Sequence, residues 1–217
     1  MPLAKNPERS PRERASDLYR KASSGASGEE LLFKSLEAKY VADWSPDARF
    51  LLYTVIRAKT GLDLFAVPMD GDRTPIPVVQ SEFNDTAGVF SPDGRWIAYQ
   101  SNESAPAQVF VQGFPKAAGR FQVSTNGGVR PNWRRDGREI YYLSPDRKMM
   151  AVEVKADGLA FETGRPRVLF QTRVAGAPPF VNTYDVTADG RRFLINLELE
   201  TAATTSITVV MNWSAAR

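Results

Sequence analysis

The 217 residues suffice for one domain or one and a half, and 42% hydrophobic with 24% charged side chains is a globular balance that excludes wholesale disorder. Cysteine and histidine are both absent, which excludes a disulfide scaffold, Cys-ligated zinc, iron–sulfur clusters, haem held by His or Cys, Ser-His-Asp hydrolysis and Cys-His proteolysis. The net charge of +3 comes entirely from residues 1–21, where Lys5, Arg9, Arg12, Arg14, Arg20 and Lys21 outnumber Glu8, Glu13 and Asp17; the rest of the chain is balanced.

Residues 1–16 read as a disordered, solvated basic leader, and they contain no aromatic residue. They carry no apolar core of a secretory signal, and no apolar run in the chain reaches the ~18–20 residues of a membrane helix. No membrane insertion by this chain is therefore expected. The chain as written is expected in the cytoplasm, or outside it if it is the tail of a membrane-anchored parent.

From residue 17 the chain repeats itself. Two short strands, around Leu18 and around Leu31, make a partial unit over residues 17–36, joined by a Ser/Gly-rich loop. The next unit, 37–82, contains Trp44-Ser45-Pro46-Asp47-Ala48-Arg49 and a following apolar run. The motif returns as Phe90-Ser91-Pro92-Asp93-Gly94-Arg95 in unit 83–126 and as Trp133-Arg134-Arg135-Asp136-Gly137-Arg138 in unit 127–172. A weaker copy, Val186-Thr187-Ala188-Asp189-Gly190-Arg191, lies in a partial unit over 173–213, before a tail of 214–217. The aspartates step by 46, 43 and 53 residues, and a period of about 40–50 residues with several strands in each unit marks a β-propeller blade. Each motif residue has a reason. The aromatic ends a buried strand, Pro presets φ, Asp bonds the turn backbone and Gly takes φ > 0. Ala48 in the Gly position predicts a strained turn or one of another type.

A third strand follows each turn, at residues 63–67, 108–111, 150–154 and 206–210. Fourth strands follow at 76–79, 121–123 and 167–170, the two prolines near Ile76 suiting an outer edge. The expected total is 17 strands, and their phase does not close a four-bladed ring. The predicted fold is all-β: a propeller of four-stranded antiparallel blades, about four of them, forming an incomplete, open part of a larger ring.

The motifs resemble the TolB-type, WD-repeat-like propeller family, whose blade signature is W/F-SPDG-K/R-x-[IL]-A-Y followed by a D-[LI]-[YFW]-V strand. The resemblance covers residues 17–213. It is closest at Phe90–Tyr99, with departures at Arg134-Arg135 and at Thr187-Ala188. The ending over residues 207–213 is similar to the C-termini of large bacterial proteins in which a serine/threonine kinase domain and a membrane helix precede such a propeller. That likeness implies architecture alone, because no kinase motif occurs in this sequence.

Several chemistries are weighed against simpler readings. The adjacent Asp-Gly of each motif lacks the intervening residue of a sialidase Asp box, and Asp70-Gly71-Asp72 lacks the acidic ladder of a calcium loop. Arg130, Arg134, Arg135 and Arg138 surround Trp133, but the Trp holds the buried aromatic position of the repeat, so no nucleic acid is expected. Scattered carboxylates do not define a glycosidase pair. No catalytic residue, metal or cofactor is expected.

The functional surface is expected where the loops between blades gather around the channel. Their candidates are Phe83, Asn84 and Asp85, then Asn126 and Arg130, then Phe180 and Asn182, since amides beside aromatics suit peptide or ligand contact. The expected function is a non-catalytic binding or sensor module for a protein, a peptide or a small ligand. The alternative is an accessory propeller of a kinase or a prolyl-oligopeptidase-type peptidase whose catalytic domain lies outside the chain. Open blade ends near Leu18, Leu31, Phe33, Ile207 and Val209 predict self-association.

Overall fold

The computed structural model describes residues 17–117, 119–158 and 160–197. The expected leader, the strand at 206–210 with Ile207 and Val209, and the tail lie outside these residues. Among the described residues there is no helix, and so none long and apolar enough to cross a membrane. The protein is all-β and built as antiparallel propeller blades.

Two strands open the chain, β1 (Leu18–Arg20) and β2 (Glu30–Phe33), paired with each other. The first four-stranded blade is β3 (Lys39–Trp44), β4 (Phe50–Arg57), β5 (Gly61–Pro68) and β6 (Ile76–Val79). The second is β7 (Asp85–Phe90), β8 (Trp96–Ser101), β9 (Gln108–Gly113) and β10 (Arg120–Gln122). The third contains β11 (Val129–Trp133), β12 (Glu139–Leu143) and β13 (Lys148–Asp157), and β13 is long enough to pair with both β14 (Ala160–Thr163) and β15 (Arg167–Gln171). The pair β16 (Tyr184–Val186) and β17 (Phe193–Ile195) follows, with a bridge from Val174 to Leu197.

The strand total equals the expected one by a different route. β14 was not anticipated, and the strand expected at 206–210 is not among those described. β14 has a packing reason: it sets Phe161 against Trp96 (5.0 Å between ring centroids), Phe121 (5.5 Å) and Trp133 (6.1 Å), where the second and third blades meet.

Blades stack because most strands are apolar on both faces. Ile97 and Tyr99 of β8 turn toward the first blade, against Leu52, Leu64 and Ala66. Trp96 and Ala98, one step away on the same strand, turn toward Trp133, Ile140 and Val152 of the third. Tyr141, Leu143 and Met149 receive Tyr184, Phe193 and Ile195 at the next interface. The stacking is close: a Cβ on Gly88 would lie 2.7 Å from Leu52 Cδ2.

The four Asp motifs form equivalent hairpins between the first and second strands of successive blades. In each, the fourth residue donates its N–H to the carbonyl three positions back: Ala48 to Ser45 and Gly94 to Ser91 at 2.8 Å, Gly137 to Arg134 at 2.9 Å, and Gly190 to Thr187 at 2.8 Å. Each Asp Oδ1 accepts from the N–H two residues on, at 3.1 Å for Arg49, Arg95 and Arg138 and 3.0 Å for Arg191. Ser45, Ser91 and Thr187 add a hydroxyl donor to the same carboxylate. Arg134 has no hydroxyl, and its Nε lies 3.4 Å from Asp136 instead. Ala48 corrects the expectation of another turn type: at φ 57° it takes the same left-handed conformation as Gly94 (71°) and Gly137 (73°). That conformation costs a residue with a Cβ roughly 1–2 kcal/mol.

Candidate functional site

The innermost strands β3, β7 and β11 stand side by side, and with β16 and β17 they surround a cavity of about 1070 Å³. Its wall repeats with the sequence. The residue immediately before each motif's first residue is Asp43, Val89, Asn132 and Asp185, and all four line the cavity. Sequence reasoning passed over these positions, although their constant register before the motif was the signal that could have found them. Asn182, Tyr184, Leu194 and Asn196 complete the blade-end wall, and Arg135 contributes a positive charge.

Asp43 also ties two blades together, its Oδ2 accepting from Phe90 N–H at 2.8 Å while Oδ1 accepts from Trp44 N–H. Burial pushes its carboxyl above the usual range, against the pull of these two backbone donors. Arg130 stands at the rim, at a β-bulge of β11, with φ 53°. Bulges re-aim side chains, and here the guanidinium turns onto the incoming loop of the last blade. Its Nη2 donates to the Ala177 carbonyl at 2.7 Å and its Nε to that of Val181 at 3.1 Å. Its backbone N–H donates to Gln100 Oε1 at 2.8 Å, and its carbonyl accepts from the Tyr184 hydroxyl at 2.8 Å. Burial weakens its hold on the proton, and all these partners are neutral. The loop that Arg130 holds carries Phe180, whose ring stacks on Tyr40 of β3 at 4.0 Å and 20°. The structure thus brings Arg130, Phe180 and the exposed Asn182 to one mouth.

The other candidates part from this group. Asn84 is a loop brace: its side chain accepts from Leu62 N–H at 3.1 Å, and its own N–H donates to Asn102 Oδ1 at 2.7 Å. Phe83 is half-buried, and its N–H bonds Ser81. Asp85 is a correction: at 1% exposure it is no surface contact, because it begins a strand buried on both faces and takes the Ser81 hydroxyl. Burial raises its carboxyl above the usual range. Asn126 lines a separate recess of about 370 Å³ beside Tyr142 and Pro145. The basic cluster read around Trp133 is divided. Arg130 sits at the mouth, four residues or about 13 Å of strand from Arg134, which faces Asp136 and Glu139 at the turn. Trp133 itself is buried, with its indole N–H 3.3 Å from the Val89 carbonyl. No group of three or more acidic side chains able to hold a metal occurs among the described residues.

No family model matches the chain. An uncharacterised protein of Agrobacterium fabrum is 24% identical over 168 residues, spanning 75% of this chain and 56% of its own. The crystal structure of TolB from Acinetobacter baumannii superposes with a TM-score of 0.62 at 15% identity, covering 85% of this chain and 44% of that one. A structure assigned as TolB from Agrobacterium tumefaciens gives 0.52 at 21% identity, over 67% and 55%. The fold is a TolB-like propeller. The chain spans about half the length of these relatives, and an open arc of blades accords with that share.

Proposed function

We propose that this chain is a non-catalytic interaction module that holds a segment of a protein partner, or a peptide, against the mouth of its channel. The observation that carries this reading is the repeated wall: four blades present the same register position to one cavity, and Arg130 fixes the loop at its rim. Amides and aromatics alternate there, with Asn132, Asn182 and Asn196 beside Trp133 and Tyr184. Such a surface can bond a peptide backbone and cover apolar side chains. The acidic groups best placed for chemistry are spent on structure, Asp43 and Asp85 within blades and Glu139 on Arg134, Arg167 and Tyr141. The matched TolB structures add nothing toward a kinase or peptidase setting.

Selection of a displayed peptide library on the full chain tests this. Peptides enriched on the unmodified protein are expected to lose binding to Asn132→Arg, which fills the cavity with a long cation, while melting stays unchanged. Equal binding to both forms would remove the channel from the reading. Peptide cleavage or ATP turnover by the purified chain, abolished by a single substitution within it, would overturn the non-catalytic assignment.

A further inference from the structure

The two ends of the blade arc are complementary. At the N-terminal end, β1 and β2 lie over the outer part of the first blade, Leu18, Leu32 and Phe33 packing on Leu51, Tyr53, Phe65 and Val67. The inner part of that same face is bare. Val41 is paired opposite Tyr53, and Trp44 opposite Leu51. Directly opposed residues of a strand pair share a face, so Val41 and Trp44 continue the apolar surface toward the channel. They are 55% and 43% exposed. What covers the outer strands stops short of the inner one.

At the other end the situation is reversed. β16 and β17 follow the third blade as an inner pair, with Phe193 and Ile195 turned into it. Leu194, between them in sequence, points to the opposite face and is 78% exposed. Among the described strands, β17 pairs only with β16, and β1 only with β2. One end has an outer pair without an inner one; the other has an inner pair without an outer one.

We infer that a second copy of this chain supplies what each end lacks, its β16–β17 seating against Val41 and Trp44 beside β1–β2 to complete a composite blade. The order from the channel outward is β16, β17, β1, β2, the same four-strand arrangement as the complete blades. The contact is head-to-tail, and such contacts form rings when the rotation closes. Two copies contribute three complete blades each and share two composite ones, which reaches the upper end of the usual four-to-eight range. Leu194 of one copy meets Val41 of the other. The occupant is a copy of this chain because each end supplies the strand pair the other lacks, and because the chain spans only 44–55% of the matched TolB structures. The strand expected at 206–210 lies outside the described residues and takes no part in this count.

Sedimentation velocity on the full chain tests the inference. The unmodified chain is expected to dimerise with rising concentration. Val41→Lys and Leu194→Glu alone are each expected to be monomeric, and an equimolar mixture to recover dimers, because one of its two junctions then pairs Lys with Glu and the other is unmodified. A monomer at every concentration, a mixture that stays monomeric, or a dimer that neither variant weakens would each overturn it. Should either charge variant fail to fold, Val41→Cys mixed with Leu194→Cys gives the same decision, since the natural chain has no thiol. Oxidation should then yield a covalent dimer from the mixture. A double-cysteine variant that oxidises within one chain to a compact monomer, with no dimer from the mixture, would show the arc closing on itself and refute the trans arrangement.

Discussion

Replacing Phe161 by Ala isolates the role of β14. The ring is 5% exposed and touches Trp96, Phe121 and Trp133, so it closes the seam between the second and third blades. A Phe→Ala change in a core costs about 3–5 kcal/mol, and the amount depends on how far the site collapses. β14 is an edge strand held by one short ladder to the end of β13, so it can move inward, and the lower end, about 3 kcal/mol, is expected. At roughly 2–4 °C for each kcal/mol in a chain of this size, the melting temperature should fall by about 6–12 °C. Trp96 and Trp133 flank the ring, so thermal unfolding followed by tryptophan emission reads the seam directly. Phe161→Leu should recover more than half of the loss. A loss below about 1 kcal/mol, the level of an ordinary surface change, would mean that β14 is a decoration and the seam is closed without it.

Other expectations follow from single groups. Ala48→Gly releases a left-handed backbone from its Cβ, and should stabilise the chain by about 1 kcal/mol; an unchanged or lower melting point would show the turn to be unstrained. Burial alone would raise Glu139, but hydrogen bonds from Arg167 and Tyr141 and the charges of Arg167 and Arg134 hold its carboxyl below the usual range. Its contribution is therefore complete above the ordinary glutamate range and lost as pH falls through the depressed folded value. Glu139→Gln should flatten the acid side of a melting-temperature profile, and parallel acid limbs would contradict this. Arg130→Ala leaves the carbonyls of Ala177 and Val181 without their donor. Exchange of the Val181 amide, which donates to Pro178 at 3.0 Å, should accelerate, whereas equal protection would show that the loop holds itself.

The parts of this molecule legible in its sequence are those set by short-range chemistry. Asp47, Asp93, Asp136 and Asp189 reveal the blades because a five-residue hairpin needs its carboxylate and left-handed residue wherever it stands. β14 escaped because β13 serves two partners in succession, which no local pattern encodes. Even so, Asp157-Gly158 before it is a hairpin signal, and Gly158 has φ 58°. Asp85 misled because a loop reading treats a carboxylate as solvated, and only the packing of both faces of β7 shows it enclosed. Arg130 was found for the wrong neighbours: adjacency in sequence grouped it with Arg134, while strand geometry separates them to opposite ends of β11.

The channel wall falls between these cases. No single copy of the repeat marks Asp43, Val89, Asn132 or Asp185, since each is one polar or small residue before an aromatic or Val. Aligned by their motifs, however, the four occupy one position, and strand periodicity then requires them to share one orientation in every blade. Cores tolerate only apolar side chains at such a position; three of the four here are polar or charged, so the position must face something other than a neighbouring blade. In a propeller the remaining direction is the axis. Variation in chemistry at a register constant in geometry is what a binding surface built from repeats requires, because the fold fixes where the side chains point and leaves their identity free to match a partner.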